Sequence, residues 1–348
     1  MFRSVVYQNL TSCLVKKFIR RYTPPAHREP HKYKVTICGA CGQVGQIIGF
    51  LLKQSPFVNI LSLYDLDNTL GVAMDISHMD TKCRMQSYTG YTEIKDALSN
   101  SDVVIICAGV GRAPGMCLND LFEYNAPVVK QLAEACIEVC PKALLAILTN
   151  PINSFVPMVS KMYKSCNVYD PNRIFGVTTI DTMRACSIVT NEVLQYSADP
   201  AEFLIPVIGG HSETTCVPVL SQTSPPMIIH DCMIQYLIEK IRCAASLVTN
   251  LKESSGGPRL SVALGTCRFV NNLIRGLKNE KDVFDLAYVY TNNVPGVSYF
   301  ACPIQLGPNG IKQNLGLLRV DNTYETAYLK SAIQHLKYDI KRGESFIG

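Results

Sequence analysis

The stretch Lys34-Val35-Thr36-Ile37-Cys38-Gly39-Ala40-Cys41-Gly42-Gln43-Val44-Gly45 decides the fold. A short apolar run meets three glycines and passes into an amphipathic stretch over 43–53. A short apolar run closed by turn residues reads as a buried strand, and the stretch after it carries a helical period. The glycines are spaced G-x-x-G-x-x-G. They permit a tight turn and let the backbone approach a pyrophosphate, whose charge meets the helix N-terminus. A glycine triplet alone is weak evidence, because many strand–helix turns use glycine for packing. Here Asp65 ends the next apolar run, twenty residues after Gly45. A carboxylate at that place accepts hydrogen bonds from an adenosine ribose and repels a 2′-phosphate. The pattern predicts NAD rather than NADP, held by Gly39, Gly42, Gln43, Val44, Gly45 and Asp65. Asn125, on a later helix, is a further candidate cofactor contact.

Outward from this turn, apolar runs at 34–38, 60–64, 103–107 and 144–148 alternate with helix-like stretches that include 43–53 and 125–139. Such alternation indicates βαβ units and a parallel sheet, which receives its ligands at the carboxyl ends of the strands. The glycine turn, Asp65, the loop at 109–122 and Thr149-Asn150-Pro151 all fall at such ends. The second half is less regular, with a strand-like run at 203–208 and amphipathic patterns at 231–251 and 322–342. The predicted class is α/β: a Rossmann-type doubly wound parallel sheet over 31–175, followed by an α+β catalytic domain over 176–348.

Charge and composition narrow the function. Residues 1–30 hold six basic side chains and one acid, which is the whole net charge of +5. The remaining 318 residues hold 27 basic and 27 acidic side chains, so no basic patch for nucleic acid is expected. The leading segment mixes Arg, Lys and hydroxyl residues with apolar ones and has no acid before Glu29, the composition of a mitochondrial transit peptide. No apolar run reaches the roughly 18 residues that span a bilayer, so no membrane partner is expected. The 15 cysteines are read as buried thiols. Cys38 and Cys41 form a C-x-x-C pair, but the residues between them belong to the phosphate turn, and no metal site is predicted.

The chemistry is carried by four further stretches. The loop Gly109-Val110-Gly111-Arg112-Ala113-Pro114-Gly115-Met116-Cys117-Leu118-Asn119-Asp120-Leu121-Phe122 holds one arginine able to grip an anion. Phe175-Gly176-Val177-Thr178-Thr179-Ile180-Asp181 leads into Arg184, which shares a helix face with Asp181 at a spacing of three. Gly209-Gly210-His211 follows an apolar run, and Asn150 lies in Thr149-Asn150-Pro151-Ile152-Asn153-Ser154. Hydride transfer at a carbinol carbon needs a proton acceptor on the oxygen, which histidine provides near neutral pH. A buried aspartate fixes the tautomer of that histidine. An anionic substrate needs a planar, permanently charged fork, which arginine provides. Taken singly, a histidine after a strand is usually structural, and an Asp–Arg pair at i, i+3 usually lies on a surface.

Together these residues resemble the malate dehydrogenases of the mitochondrial and bacterial type, within the lactate/malate dehydrogenase superfamily. The resemblance runs from about Lys34 to Phe346. It also takes in Tyr64-Asp65-Leu66 and Asp75-Ile76-Ser77-His78. It implies that His211 is the proton acceptor, Asp181 its partner and Arg184 the grip on the C1 carboxylate. It implies that Arg112 holds the distal carboxylate of a dicarboxylate, malate or oxaloacetate. Asn150 would contact substrate and help order the nicotinamide pocket. It further implies a homodimer in the mitochondrial matrix.

Two departures stand out. Where the family has a second loop arginine that closes over substrate and polarises the reacting carbonyl, this chain has Leu118. The residue after it, Asn119, replaces an acid. In Gly256-Gly257-Pro258-Arg259-Leu260-Ser261 the family has small and hydroxyl residues along the pocket wall, and Arg259 is a new cation. The resemblance predicts a malate dehydrogenase with reduced turnover. The alternatives are a non-catalytic nucleotide-binding relative that serves as a structural or dimer partner, and a dehydrogenase for another 2-hydroxy acid.

Overall fold

A computed structural model describes residues 32–112, 115–116, 118–253 and 256–347, with Leu118 described by its backbone only. The predicted transit segment 1–30 lies outside the described residues. Strand β1 (Lys34–Cys38) is buried at every position and sits inside the sheet, because both of its faces are covered. Its neighbours are β2 (Ile60–Asp65) on one side and β4 (Val103–Ile106) on the other, both parallel to it. Beyond them lie β3 (Arg84–Thr89) at one edge, and β5 (Leu144–Ile147) and β6 (Ile174–Val177) on the other side. The order β3-β2-β1-β4-β5-β6 is that of a doubly wound dinucleotide-binding sheet. β1, β4 and β5 are near-continuous apolar runs, as strands buried on both faces should be.

The sheet does not stop at β6. It continues antiparallel through β9 (Phe284–Tyr290), β10 (Tyr299–Gly307), β7 (Val207–Gly209) and β8 (Cys216–Pro218), with β11 (Gly310–Asn314) paired to β10. The parallel half takes its crossovers from α1 (Gln43–Lys53), α2 (Leu70–Ser77), α3 (Ile94–Leu98), α4 (Leu118–Val139) and α5 (Ile152–Ser165). The antiparallel half carries α6 (Thr179–Leu194), α7 (Asp231–Arg242), α8 (Ala244–Lys252), α9 (Leu260–Leu277) and α10 (Thr323–Ser345).

Three elements differ from their sequence reading. The run 203–208 gives only the short β7 and an isolated bridge from Leu204 to Ser224, because Pro206 has no N–H to enter a ladder. The pattern over 231–251 is two helices that meet at Cys243. Helix α4 begins seven residues before the apolar pattern that announced it, since Leu121 and Phe122 bury their side chains ahead of Asn125. Pro127 inside α4 costs a hydrogen bond without ending the helix.

Candidate active site

The cofactor turn is shaped by contacts that exclude a Cβ. Gly39 has φ +101°, and a Cβ there would lie 2.5 Å from the Ala108 nitrogen. The turn after β1 therefore lies directly against the loop after β4. A Cβ on Gly45 would sit 2.0 Å from the Gly39 carbonyl, so only glycine lets α1 start this close to its strand. The N-cap of α1 is Gly42, with no side-chain cap and no acid in the first turn that holds Gln43, Val44 and Gly45. Its first amides and helix dipole are left for an anion, which fits a pyrophosphate. Asp65 stands at the end of β2, where its oxygens accept from the Cys41 amide at 2.7 Å and the Leu66 amide at 2.8 Å. The carboxylate is thus aimed along the turn that would carry the ribose. Burial pushes the Cys38 thiol well up, and burial with the charges of Asp65 and Asp67 pushes Cys41 to about 11. Both stay protonated at neutral pH, which removes them as a thiolate pair.

Two further loops are tied to this turn. Thr149 donates its hydroxyl to the Ala108 carbonyl at 2.7 Å. Asn125, buried in α4, donates to the Val110 and Asn150 carbonyls at 3.1 and 3.0 Å and accepts from the Val110 amide at 2.7 Å. Gly109 has φ +133°, and a Cβ on it would strike the Asn125 Oδ1 at 2.5 Å. Asn125, a candidate cofactor contact from the sequence, hydrogen-bonds backbone groups on both sides and joins the Arg112 loop to the Asn150 turn. Asn150 is half-buried and precedes a cis peptide bond to Pro151.

The His211–Asp181 pair is assembled from two chain segments. Asp181, in the first turn of α6, is buried. Its Oδ2 lies 2.5 Å from His211 Nδ1, and its Oδ1 accepts from Arg184 Nη1 at 3.1 Å. Burial pushes the Asp181 carboxyl up, but the charges and hydrogen bonds of His211 and Arg184 outweigh it and hold the group below the usual carboxylate range. An ionised Asp181 can only accept, so the proton of neutral His211 sits on Nδ1 and Nε2 keeps its lone pair. Gly209 and Gly210 deliver the histidine from β7. A Cβ on Gly210 would meet Thr215 Oγ1 at 2.6 Å and Asn153 Oδ1 at 2.7 Å.

The backbone of His211 is braced from across the molecule. Its amide donates to Asn153 Oδ1 at 2.8 Å, and Asn153 Nδ2 donates to Thr215 Oγ1 at 3.1 Å and to Asp339 Oδ2 on α10 at 3.0 Å. Burial raises the Asp339 carboxyl against the lowering pull of Asn153 and Arg342. Arg342, one turn further along α10, donates to Ser154 Oγ at 3.0 Å and to Asn119 Oδ1. Sequence reading quoted Asn153 within its motif but gave it no role, and it gave none to Asp339 or Arg342. The signal for Asn153 was its place three residues after Asn150, one helical turn along the same stretch.

Arg112 lies at the mouth of the site with its side chain 44% exposed. Its Nε donates to the Met116 carbonyl at 3.1 Å, and its Nη1 reaches Glu213 Oε1 at 3.4 Å. Glu213, two residues after His211, was not singled out from sequence. Arg259 caps α9 and its guanidinium curls back to within 2.9 Å of a Cβ built on Gly256. Among the described residues no group of three or more His, Cys, Asp or Glu side chains could hold a metal ion. No described helix is long and apolar enough to cross a membrane.

The sites converge: Arg112 meets Glu213 beside His211, His211 meets Asp181 and Asn153, and Asn125 joins the Arg112 loop to Asn150. Known proteins carry the same frame. Residues 33–176 match the family model "lactate/malate dehydrogenase, NAD binding domain", and residues 178–347 match "lactate/malate dehydrogenase, alpha/beta C-terminal domain". A mitochondrial malate dehydrogenase of Caenorhabditis elegans is 43% identical over 314 residues, 90% of this chain and 91% of that protein. The one of Homo sapiens is 39% identical over the same shares. Among solved structures, a malate dehydrogenase of Cryptosporidium parvum superposes with TM-score 0.78 at 22% identity, covering 90% of this chain and 100% of that one. A nicotinamide-binding sheet, a histidine–aspartate pair at its carboxyl edge and this depth of similarity lead to one assignment: the chain belongs to the lactate/malate dehydrogenase family and is an NAD-dependent dehydrogenase.

Proposed function

We propose that this protein catalyses the reversible oxidation of (S)-malate to oxaloacetate. The observation that carries the reading is the His211–Asp181–Arg184 cluster around the buried Asp181, with contacts of 2.5 and 3.1 Å. Arg184 holds the C1 carboxylate through its planar fork, and Arg112 holds the distal carboxylate. Asn150 contacts the substrate at the edge of the nicotinamide pocket. In the oxidation direction His211 Nε2 takes the C2 hydroxyl proton while the C2–H bond breaks and its electron pair leaves with the hydride. When bound, NAD supplies the hydride acceptor. Asp181 steadies the imidazolium without taking its proton. Gly39, Gly42, Gln43, Val44 and Gly45 seat the pyrophosphate, and Asp65 takes the ribose. Residues 31–175 then serve the cofactor and residues 176–348 the chemistry. The basic segment 1–30 directs the chain to the mitochondrial matrix.

The test is oxaloacetate-dependent oxidation of NADH by the full chain. Slow but measurable turnover is expected, with NADPH about ten-fold poorer or worse, since Asp65 repels its 2′-phosphate. Faster turnover of another 2-oxo acid would reassign the substrate. Retained NADH binding with no turnover of any 2-oxo acid would favour the non-catalytic relative.

A homodimer is part of the same proposal. Helix α1 packs against both α2 and α9, and the three helices expose Phe50, Leu70, Met74, Leu260 and Leu264. Large apolar side chains gathered on the surface mark an association face. Sedimentation at micromolar concentration is expected to give the mass of two chains. A monomer there would remove this part of the reading.

A further inference from the structure

We propose that Glu213 is a specificity-determining residue that competes with the distal carboxylate of the substrate for Arg112. The inference rests on the dicarboxylate reading above. The loop 109–122 holds Arg112 as its one basic side chain, with Leu118 in place of a second. Glu213 Oε1 lies 3.4 Å from Arg112 Nη1, where the guanidinium would otherwise meet an incoming anion. A glutamate and a substrate carboxylate are the same group chemically, so both ask for the same donors.

The position of Glu213 is fixed from behind. Its carbonyl accepts from Arg242 Nε at 2.5 Å, and the Arg242 guanidinium stacks 4.3 Å over the ring of Tyr328. The turn after His211 is closed by the Thr215 and Cys216 amides on the Ser212 carbonyl, at 3.1 and 2.9 Å. The backbone of Glu213 therefore cannot drift away, while its side chain, 39% exposed, is free to move. An exposed pair at this distance is weak. Glu213 thus tunes affinity and does not shut the site. A second carboxylate on Arg112 would also stand beside the first, and like charges at that separation repel. With Glu213 facing Arg112, the distal subsite has no net charge. A dicarboxylate loses affinity there, and a 2-oxo acid without a distal charge does not.

The sign of one substitution decides the matter. Glu213→Gln keeps the size and removes the charge. The expected result is a KM for oxaloacetate lower by about three- to five-fold, with kcat changed by less than about two-fold. The KM for pyruvate, which has no distal carboxylate, should move by less than about two-fold. Titration of oxaloacetate into the complex with NAD, in which both partners are oxidised and no hydride can pass, reads the same change without turnover. Unchanged NADH affinity in the variant reports an intact fold.

If Glu213 instead holds Arg112 in place for the substrate, the oxaloacetate KM of Glu213→Gln rises, and the proposal is wrong. An unchanged KM or binding constant, or an equal improvement for pyruvate, also overturns it. Should neither protein turn over oxaloacetate while the variant binds it more tightly, the proposal stands and the dehydrogenase reading falls. Turnover in both with equal KM has the opposite meaning.

Discussion

Leu118→Arg is expected to raise kcat for oxaloacetate reduction by about 100- to 1,000-fold. Leu118 opens helix α4, which follows the loop that carries Arg112. Reduction of a carbonyl builds negative charge on its oxygen, and a leucine offers that charge neither a hydrogen bond nor a cation. Donors aimed at a developing oxyanion are among the largest single terms in catalysis, worth roughly 3–4 kcal/mol each. The family resemblance assigns this role to an arginine at position 118. The gain should appear mainly in kcat, because the interaction strengthens as the charge develops. Steady-state kinetics of the parent and the variant, side by side, measure it. High turnover in the parent with little gain in the variant would show that another group polarises the carbonyl. Turnover only in the variant would mean that the natural chain is not an enzyme.

His211→Asn is expected to lower kcat by about 100- to 10,000-fold while leaving NADH binding unchanged. The histidine has one nitrogen committed to Asp181 at 2.5 Å, so the other is the acceptor held in register for the alcohol proton. Asparagine at this site cannot take up a proton near neutral pH, so a positioned base is lost. Among the described residues the hydrogen bonds of His211 run to Asp181 and Asn153 and none reaches the turn at Gly39 to Gly45, which is why nucleotide affinity should persist. Stopped-flow measurement of the hydride step with saturating NADH reads the loss directly. A loss below ten-fold would place the proton on another group.

The parallel half of the fold was legible because its strands are continuous apolar runs. Strand β1 and helix α1 coincide with their sequence reading, since the pattern, the turn and the packing glycines all agree. The edge strand β3 was not legible. Arg84-Met85-Gln86-Ser87-Tyr88-Thr89 has little apolar content, and its conformation comes from pairing with β2. The antiparallel half was poorly legible for a related reason: β7 and β8 are three residues each, too short for a period.

In the candidate site, contacts within one motif were legible in the sequence, and contacts across the fold were not. Asp181 and Arg184 are three apart in sequence and touch at 3.1 Å, so spacing was enough. Glu213 and Arg112 are 101 residues apart, and no spacing rule links them. Asn125 carries a residue type suited to a ligand, and the three backbone contacts that its buried amide makes across two loops were not announced by its place in the sequence.

The contact between Asn153 and Asp339 spans 186 residues and ends on the amide of His211. Sequence-distant contacts of this kind form only when the intervening chain has already condensed. His211 is therefore held in register by the finished tertiary structure as well as by the loop on which it sits. Catalytic turnover then doubles as an assay of global folding. In a refolding experiment, cofactor fluorescence can return with the parallel half of the sheet, whereas the first oxaloacetate reduced reports that α5 and α10 have met.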